Sequence, residues 1–177
     1  MDFPLYDESE LISKAYLTHG ETSKVLADNL DGDKDMFYEI VSMVEVHVTT
    51  GWAFLTAKVI DTIDLVDTWY TYSGHRGDIG DHYAQGGGGW DGLCLAGIKS
   101  ADGFVNARSI IYAKTGQNRQ ALSRASWTQN SSIVMYWHHI SSILKETSTK
   151  ITKLTMQTEG GSGIHFAGGH VSLYRLR

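Results

Sequence analysis

The clearest alternation in the chain lies over residues 37–49. Tyr38, Ile40, Val44, Val46 and Val48 fall on one face of an extended strand, with Ser42 the single polar exception. Glu39, Glu45, His47 and Thr49 fall on the other face, which also carries Val41 and Met43. A run this rich in β-branched residues disfavours a helix, because such side chains lose rotamer freedom against the preceding turn. Other segments of β character predict further strands over 22–27, 53–60, 62–72 and 133–140. Residues 93–98 and 108–113 read as a strand pair. The chain closes with 151–158, a glycine-rich turn at 159–163, and 164–177. In the first of these Leu154 and Met156 alternate with Lys153, Thr155 and Gln157. In the last, Val171, Leu173 and Arg175 share one face while Ser172, Tyr174 and Leu176 share the other. The prediction is a closing hairpin whose final strand is held inside a sheet, since loose termini fray.

Three stretches lack this period. Residues 1–20 read as an N-terminal arm or a short helix, with Leu5, Leu11, Ile12, Ala15 and Tyr16 on one side. Asp7 or Ser9 would cap that helix, and Glu8 and Glu10 would favour its first turn. Residues 73–90 read as a long glycine-rich loop, and 114–132 as a polar connection with turns. The remaining 21–177 form one β domain of about eight strands, with Asx and glycine turns and no long amphipathic helix. That pattern predicts an all-β, jelly-roll-like antiparallel β-sandwich.

Composition narrows the function. Hydrophobic residues are 42% of the 177 and charged residues 20%, a globular balance. The formal net charge of −5, with no basic run, gives nucleic-acid binding no electrostatic support. No apolar stretch is long enough to span a membrane, and the first residues carry neither a basic nor an apolar leader. The expectation is a soluble chain without a signal peptide. The single cysteine, Cys94, sits among small apolar neighbours, which describes a buried core thiol rather than a nucleophile.

The candidate chemistry is thin. Asn29, Asp31, Asp33 and Asp35 cluster carboxylates, but counting from Asn29 or from Asp31 puts neither the glycine nor the glutamate of a calcium loop in place. The stretch reads as an Asp-Gly turn between two strands. His75, Asp78, Asp81 and His82 are metal-type residues without a recognisable ligand spacing. Arg76-Gly77-Asp78 is three common residues in a glycine-rich loop, and Gly86 to Gly89 lack the Gly-Lys-Ser/Thr ending of a phosphate loop. His138 and His139 are adjacent, so in a strand they face opposite ways, and both read as surface or interface residues. The Gly-x-Ser-x-Gly nucleophile elbow is missing. The expectation is a protein with no catalytic site, no bound metal and no cofactor.

A resemblance adds to this. The turn and strand Leu30-Asp-Gly-Asp-Lys-Asp-Met-Phe-Tyr-Glu-Ile40 resembles the opening of small structural proteins of tailed-bacteriophage particles. The ending is similar to theirs as well: Ile151-Thr-Lys-Leu-Thr-Met156, the turn Gly160-Gly-Ser-Gly163, then Phe166-Ala-Gly-Gly-His-Val-Ser-Leu-Tyr-Arg-Leu176. The chain departs from that pattern at Gly169-His170, where a serine is usual, and at Arg175, where a glycine is usual. The resemblance implies a jelly-roll subunit made in the bacterial host cytoplasm and resident in the virion. The first implied role is a capsid decoration (cement) protein that binds the major capsid protein, assembles as a homotrimer and needs no cofactor. The alternative is a tail-fibre or receptor-binding module that recognises carbohydrate. Aromatic residues are enriched in interface cores. The candidate contacts are therefore Phe3, Leu5 and Tyr6 of the arm and Trp69, Tyr72, Asp78, Tyr83 and Trp90 around the long loop.

Overall fold

The computed structural model describes residues 9–59, 68–76, 81–88, 92–99, 102–129, 135–144 and 148–177. Among them are twelve strands and one helical turn. The strands are β1 (Ser9–Tyr16), β2 (Ser23–Ala27), β3 (Phe37–His47), β4 (Thr50–Lys58), β5 (Thr68–Arg76), β6 (Asp81–Gly88), β7 (Leu93–Lys99), β8 (Gly103–Tyr112), β9 (Arg119–Gln129), β10 (Met135–Leu144), β11 (Leu154–Ser162) and β12 (His165–Leu176). They form an eight-stranded sheet in the order β1-β12-β3-β8-β9-β10-β5-β6 and a four-stranded sheet in the order β2-β11-β4-β7. All the pairings are antiparallel.

The expected all-β, jelly-roll-like sandwich is therefore present, with more strands than the sequence suggested. Its likeness to a jelly roll lies in the connections. β1 and β2, β3 and β4, β7 and β8, and β11 and β12 each join one sheet to the other, and the order β1-β12-β3-β8 is matched by β2-β11-β4-β7. A band four strands wide thus bends over on itself, and β7 lies against β9 and β10.

The core follows from the period of two. In β3, Tyr38, Ile40, Val44 and Val46 are buried on the inner face as predicted, and Ser42 satisfies its hydroxyl on the carbonyl of Ala107. Leu55, Leu95, Ile98, Val105, Ile111, Trp127, Leu154, Met156, Phe166, Val171 and Leu173 complete it. Removing each such aliphatic side chain from water favours folding by about 1.5–3 kcal/mol before entropy is counted. Ser142 donates to the carbonyl of Cys94, tying β10 to β7 across the sandwich. Burial raises the Cys94 thiol above its ordinary range, so it is an inert core residue.

Several expectations are corrected. Residues 9–16, placed in an arm or helix, form the edge strand β1: its Ala15 and Ser13 turn inward, and the Ser13 hydroxyl donates to Leu26 of β2. Two described parts of 73–90 are strand, because β5 and β6 pair as a hairpin and β5 continues onto β10. The polar connection 114–132 contains β9, a central strand. Residues 93–98 and 108–113 do not pair with each other: β7 joins β4 while β8 lies between β3 and β9. The last two strands form no hairpin ladder either. β11 pairs with β2 and β4, and β12 pairs with β1 and β3. The glycine turn between them switches sheets, using left-handed backbone at Gly160, Gly161 and Gly163 that a side chain would strain. The final strand is, as predicted, held inside its sheet.

The acidic turn is a helical turn, α1 (Gly32–Asp35), which joins strands of different sheets. Asp31 caps it by accepting from the Lys34 amide, and faces Lys150 at 2.8 Å. Asp33 accepts from the Thr115 amide. Asp35, which is buried, accepts from the Tyr38 hydroxyl at 2.7 Å and faces Arg175 at 2.8 Å. The three carboxylates point to three different partners, in keeping with a turn rather than a shared cation site. Together they fasten the bottom of the sandwich.

Candidate functional site

The outward positions of the large sheet hold the principal exposed apolar group among the described residues. Because antiparallel partners project from the same face, the registers assign them to cross-sheet rows. One row runs Tyr16, His170, Met43, Asn106, Ser126 and Trp137 through β1, β12, β3, β8, β9 and β10. The next runs Lys14, Ser172, Val41, Arg108, Arg124 and His139. Beyond it lie Leu11, Tyr174, Glu39, Ile110, Leu122 and Ser141, and on the other side Glu45, Phe104 and Thr128.

Exposure sets these rows apart from an ordinary solvated sheet face. Trp137 is 51% exposed, Tyr16 67% and Met43 44%, while Phe104, Leu122 and Leu11 are also open. Between Met43 and Trp137 the sheet carries a shallow groove of about 570 Å³, lined by Val41, Asn106, Arg108, Arg124, Ser126 and His139 among others. Arg108 pairs with Glu39, which lies nearly buried in the adjoining row. At the sheet edge the Lys14 ammonium sits 5.4 Å from the centre of the Tyr16 ring, within cation–π range.

Two neighbouring features are structural. His138, expected at the surface, is 3% exposed on the inner face, and burial depresses its imidazole to about 4. It packs where Gly97 of β7 leaves room, while its neighbour His139 faces out. At one end of the sheet, His19, His47 and His165 stack with ring centres 4.9 and 4.7 Å apart. Asp102 lies 2.7 Å from His47 Nδ1. Partial burial pushes Asp102 up, but the Val48 amide and His47 outweigh it and hold the carboxyl below its ordinary range. Among the described residues, no group of three or more His, Cys, Asp or Glu is placed to hold a metal ion.

The residues proposed from sequence fall mostly elsewhere. Phe3, Leu5, Tyr6, Asp78 and Trp90 lie outside the described residues. Trp69 and Tyr72 are on β5, in register with Ile143 and Ile140 of β10, and Tyr83 is on β6 opposite Gly74. They therefore belong to the far strands of the same sheet rather than to a loop. The sequence reading missed Tyr16, Phe104, Leu122 and Trp137 as surface residues. The signal within reach was Val41 and Met43, two apolar side chains on the polar face of 37–49. Compared with known proteins, the chain matches no protein-family model, no curated protein and no solved structure.

Proposed function

We propose that this is a non-catalytic structural protein of a phage particle, a decoration protein that docks on the head shell through the outer face of its large sheet. The observation that carries the docking face is the joint exposure of Tyr16, Met43, Phe104, Leu122 and Trp137 on one sheet surface. The largest apolar group on a protein surface is often its interaction site. From β1 to β10 the face spans five strand spacings, about 24 Å. From the row of Phe104 to the row of Leu122 it extends along the strands for about 20 Å. The footprint of about 500 Å² approaches the ~800 Å² that one partner contributes to a standard interface. A rigid sandwich with a partly apolar face suits a cement role, in which repeated copies, assembled as trimers, cross-link neighbouring shell subunits. Many such contacts must break together before a shell opens. The phage setting rests on the sequence resemblance at the two ends of the chain.

The test adds purified protein to washed heads that lack it, re-sediments the heads and images them. Ordered density at fixed lattice positions, with longer survival on heating, is the expected result. No uptake by heads, together with saturable adsorption to host cells, would overturn the proposal and place the protein at the tail tip.

A further inference from the structure

At one end of the large sheet, where β3 ends and β12 begins, His47 and His165 stand directly opposite each other on neighbouring strands. Their ring centres are 4.7 Å apart and their planes are tilted by 36°. Two imidazoles that share one metal ion at the usual ~2.0–2.1 Å, at an octahedral to tetrahedral bond angle, have centres about 4.5–5.2 Å apart. The pair already has that separation. Each ring is also held through its Nδ1 atom. Asp102 lies 2.7 Å from His47 Nδ1 and accepts from the Val48 amide as well. His165 Nδ1 lies 3.1 Å from the carbonyl oxygen of Gly163. A carboxylate and a carbonyl only accept, so both Nδ1 atoms carry the hydrogen and both Nε2 atoms keep a lone pair. An N–H held by a carboxylate or a backbone carbonyl is the support that metal-binding imidazoles receive, since it sets tautomer and orientation. His165 Nε2 is buried and has no hydrogen-bond partner. A buried lone pair left without a donor is a cost that a phenyl ring in the same stack would avoid.

We propose that His47 and His165 bind one divalent transition-metal ion through their Nε2 atoms, of the borderline class that imidazole suits: zinc, nickel or copper(II). This goes beyond the docking reading and stands independently of it. The protein supplies two ligands and water the rest, because among the described residues no third His, Cys, Asp or Glu is placed to join them. His19 packs edge-on against His165 with ring centres 4.9 Å apart and is exposed, so its ring can turn aside as the ion enters. The ion acts as a clip. The turn between β1 and β2 is already fastened to β12, with the Gly20 amide donating to the Phe166 carbonyl and the Phe166 amide to the Glu21 carbonyl. Joining His47 to His165 therefore holds the end of β3, the start of β12 and this turn together. A ligand that binds only the folded chain stabilises it. Protons compete with the metal for the same lone pairs, so acid releases the clip.

The test titrates zinc into the full chain near neutral pH by calorimetry, and follows the histidine ring nitrogens by long-range proton–nitrogen NMR. The expected result is one equivalent bound at micromolar concentration, with the Nε2 signals of His47 and His165 shifting while both Nδ1 atoms stay protonated. The melting temperature should rise with added zinc. His165→Phe keeps a ring in the stack and should weaken binding at least about tenfold. Asp102→Asn, which loosens the hold on His47, should weaken it about tenfold. His19→Ala should bind as the wild type does. Circular dichroism verifies folding of each variant, and the wild-type NMR titration decides the matter even where a variant fails to fold. No binding below millimolar zinc would overturn the proposal, as would shifts confined to other histidines. Full affinity in folded His165→Phe would overturn it too. A loss in His19→Ala as large as that in His165→Phe would overturn the two-ligand assignment.

Discussion

The two faces of the large sheet are built by the same strands, yet they obey different rules. On the inner face Tyr38, Val105, Ile111 and Trp127 are almost wholly buried, and buried hydroxyls pair there, as where Ser123 donates to Ser109 at 2.8 Å. On the outer face aromatic and apolar side chains stand beside arginines and remain open. Packing explains every large inner residue. It does not explain Trp137, since a tryptophan 51% exposed adds little to the fold. The comparison separates residues that hold the sandwich together from residues that are there for something outside it.

The largest effects are expected on the inner side. Trp127→Ala leaves a cavity at a 2% exposed site and should cost about 3–5 kcal/mol in denaturant unfolding. A loss below about 1 kcal/mol would mean that the inner face is not the core described. Gly169→Ala should come next. Residue 169 has φ of +111°, and a Cβ there would lie 2.3 Å from the carbonyl oxygen of Met43, just past the point where β12 shifts register against β3. Strain and overpacking together should cost roughly 2–4 kcal/mol. An unchanged midpoint would show that the close approach of β12 to β3 at residue 169 is not needed.

His138 supplies a pH signature for the inner face. Its imidazole takes up a proton near 6.5 in the unfolded chain but only near about 4 when buried. Between these values the unfolded state holds more protons, so stability is intact above pH 6.5 and declines as the pH falls toward 4. The contribution is about 3 kcal/mol over that window. His138→Phe should flatten the stability profile there by a similar amount, and a profile as steep as the wild type's would contradict the assignment. The smallest stability effect belongs to Trp137→Ala, within about 0.5 kcal/mol as for other exposed positions. Its binding defect should be far larger. Equal losses in both would dissolve the distinction between the faces.

How much of this was legible follows from what each face writes into the chain. β3 was readable residue by residue because its inner positions are large and β-branched and most of its outer ones are polar. β9 was not, because its inner positions are Arg119, Ala121, Ser123, Ala125 and Trp127, mostly small or polar residues that carry little hydrophobic signal. β6 ends in glycines, which read as a loop until pairing with β5 gives them a place. At the C-terminus the strands were legible but their sheets were not, since alternation records burial and says nothing of partners. The candidate site was hidden for a further reason. Tyr16, Met43, Phe104, Leu122 and Trp137 come from five strands, and only register places them on one face of one sheet. Each taken alone is an unremarked surface hydrophobe.

Side-chain footprinting by hydroxyl radicals, with the protein free and then bound to heads, tests the central claim most directly. It compares Trp137, Met43 and Tyr16 on the large sheet with Trp52 on the small one, which is 38% exposed. The account predicts several-fold protection of the first three on binding, with Trp52 labelled as in the free protein. Protection of Trp52 with Trp137, Met43 and Tyr16 still open would contradict it and move the docking surface to the other side of the sandwich.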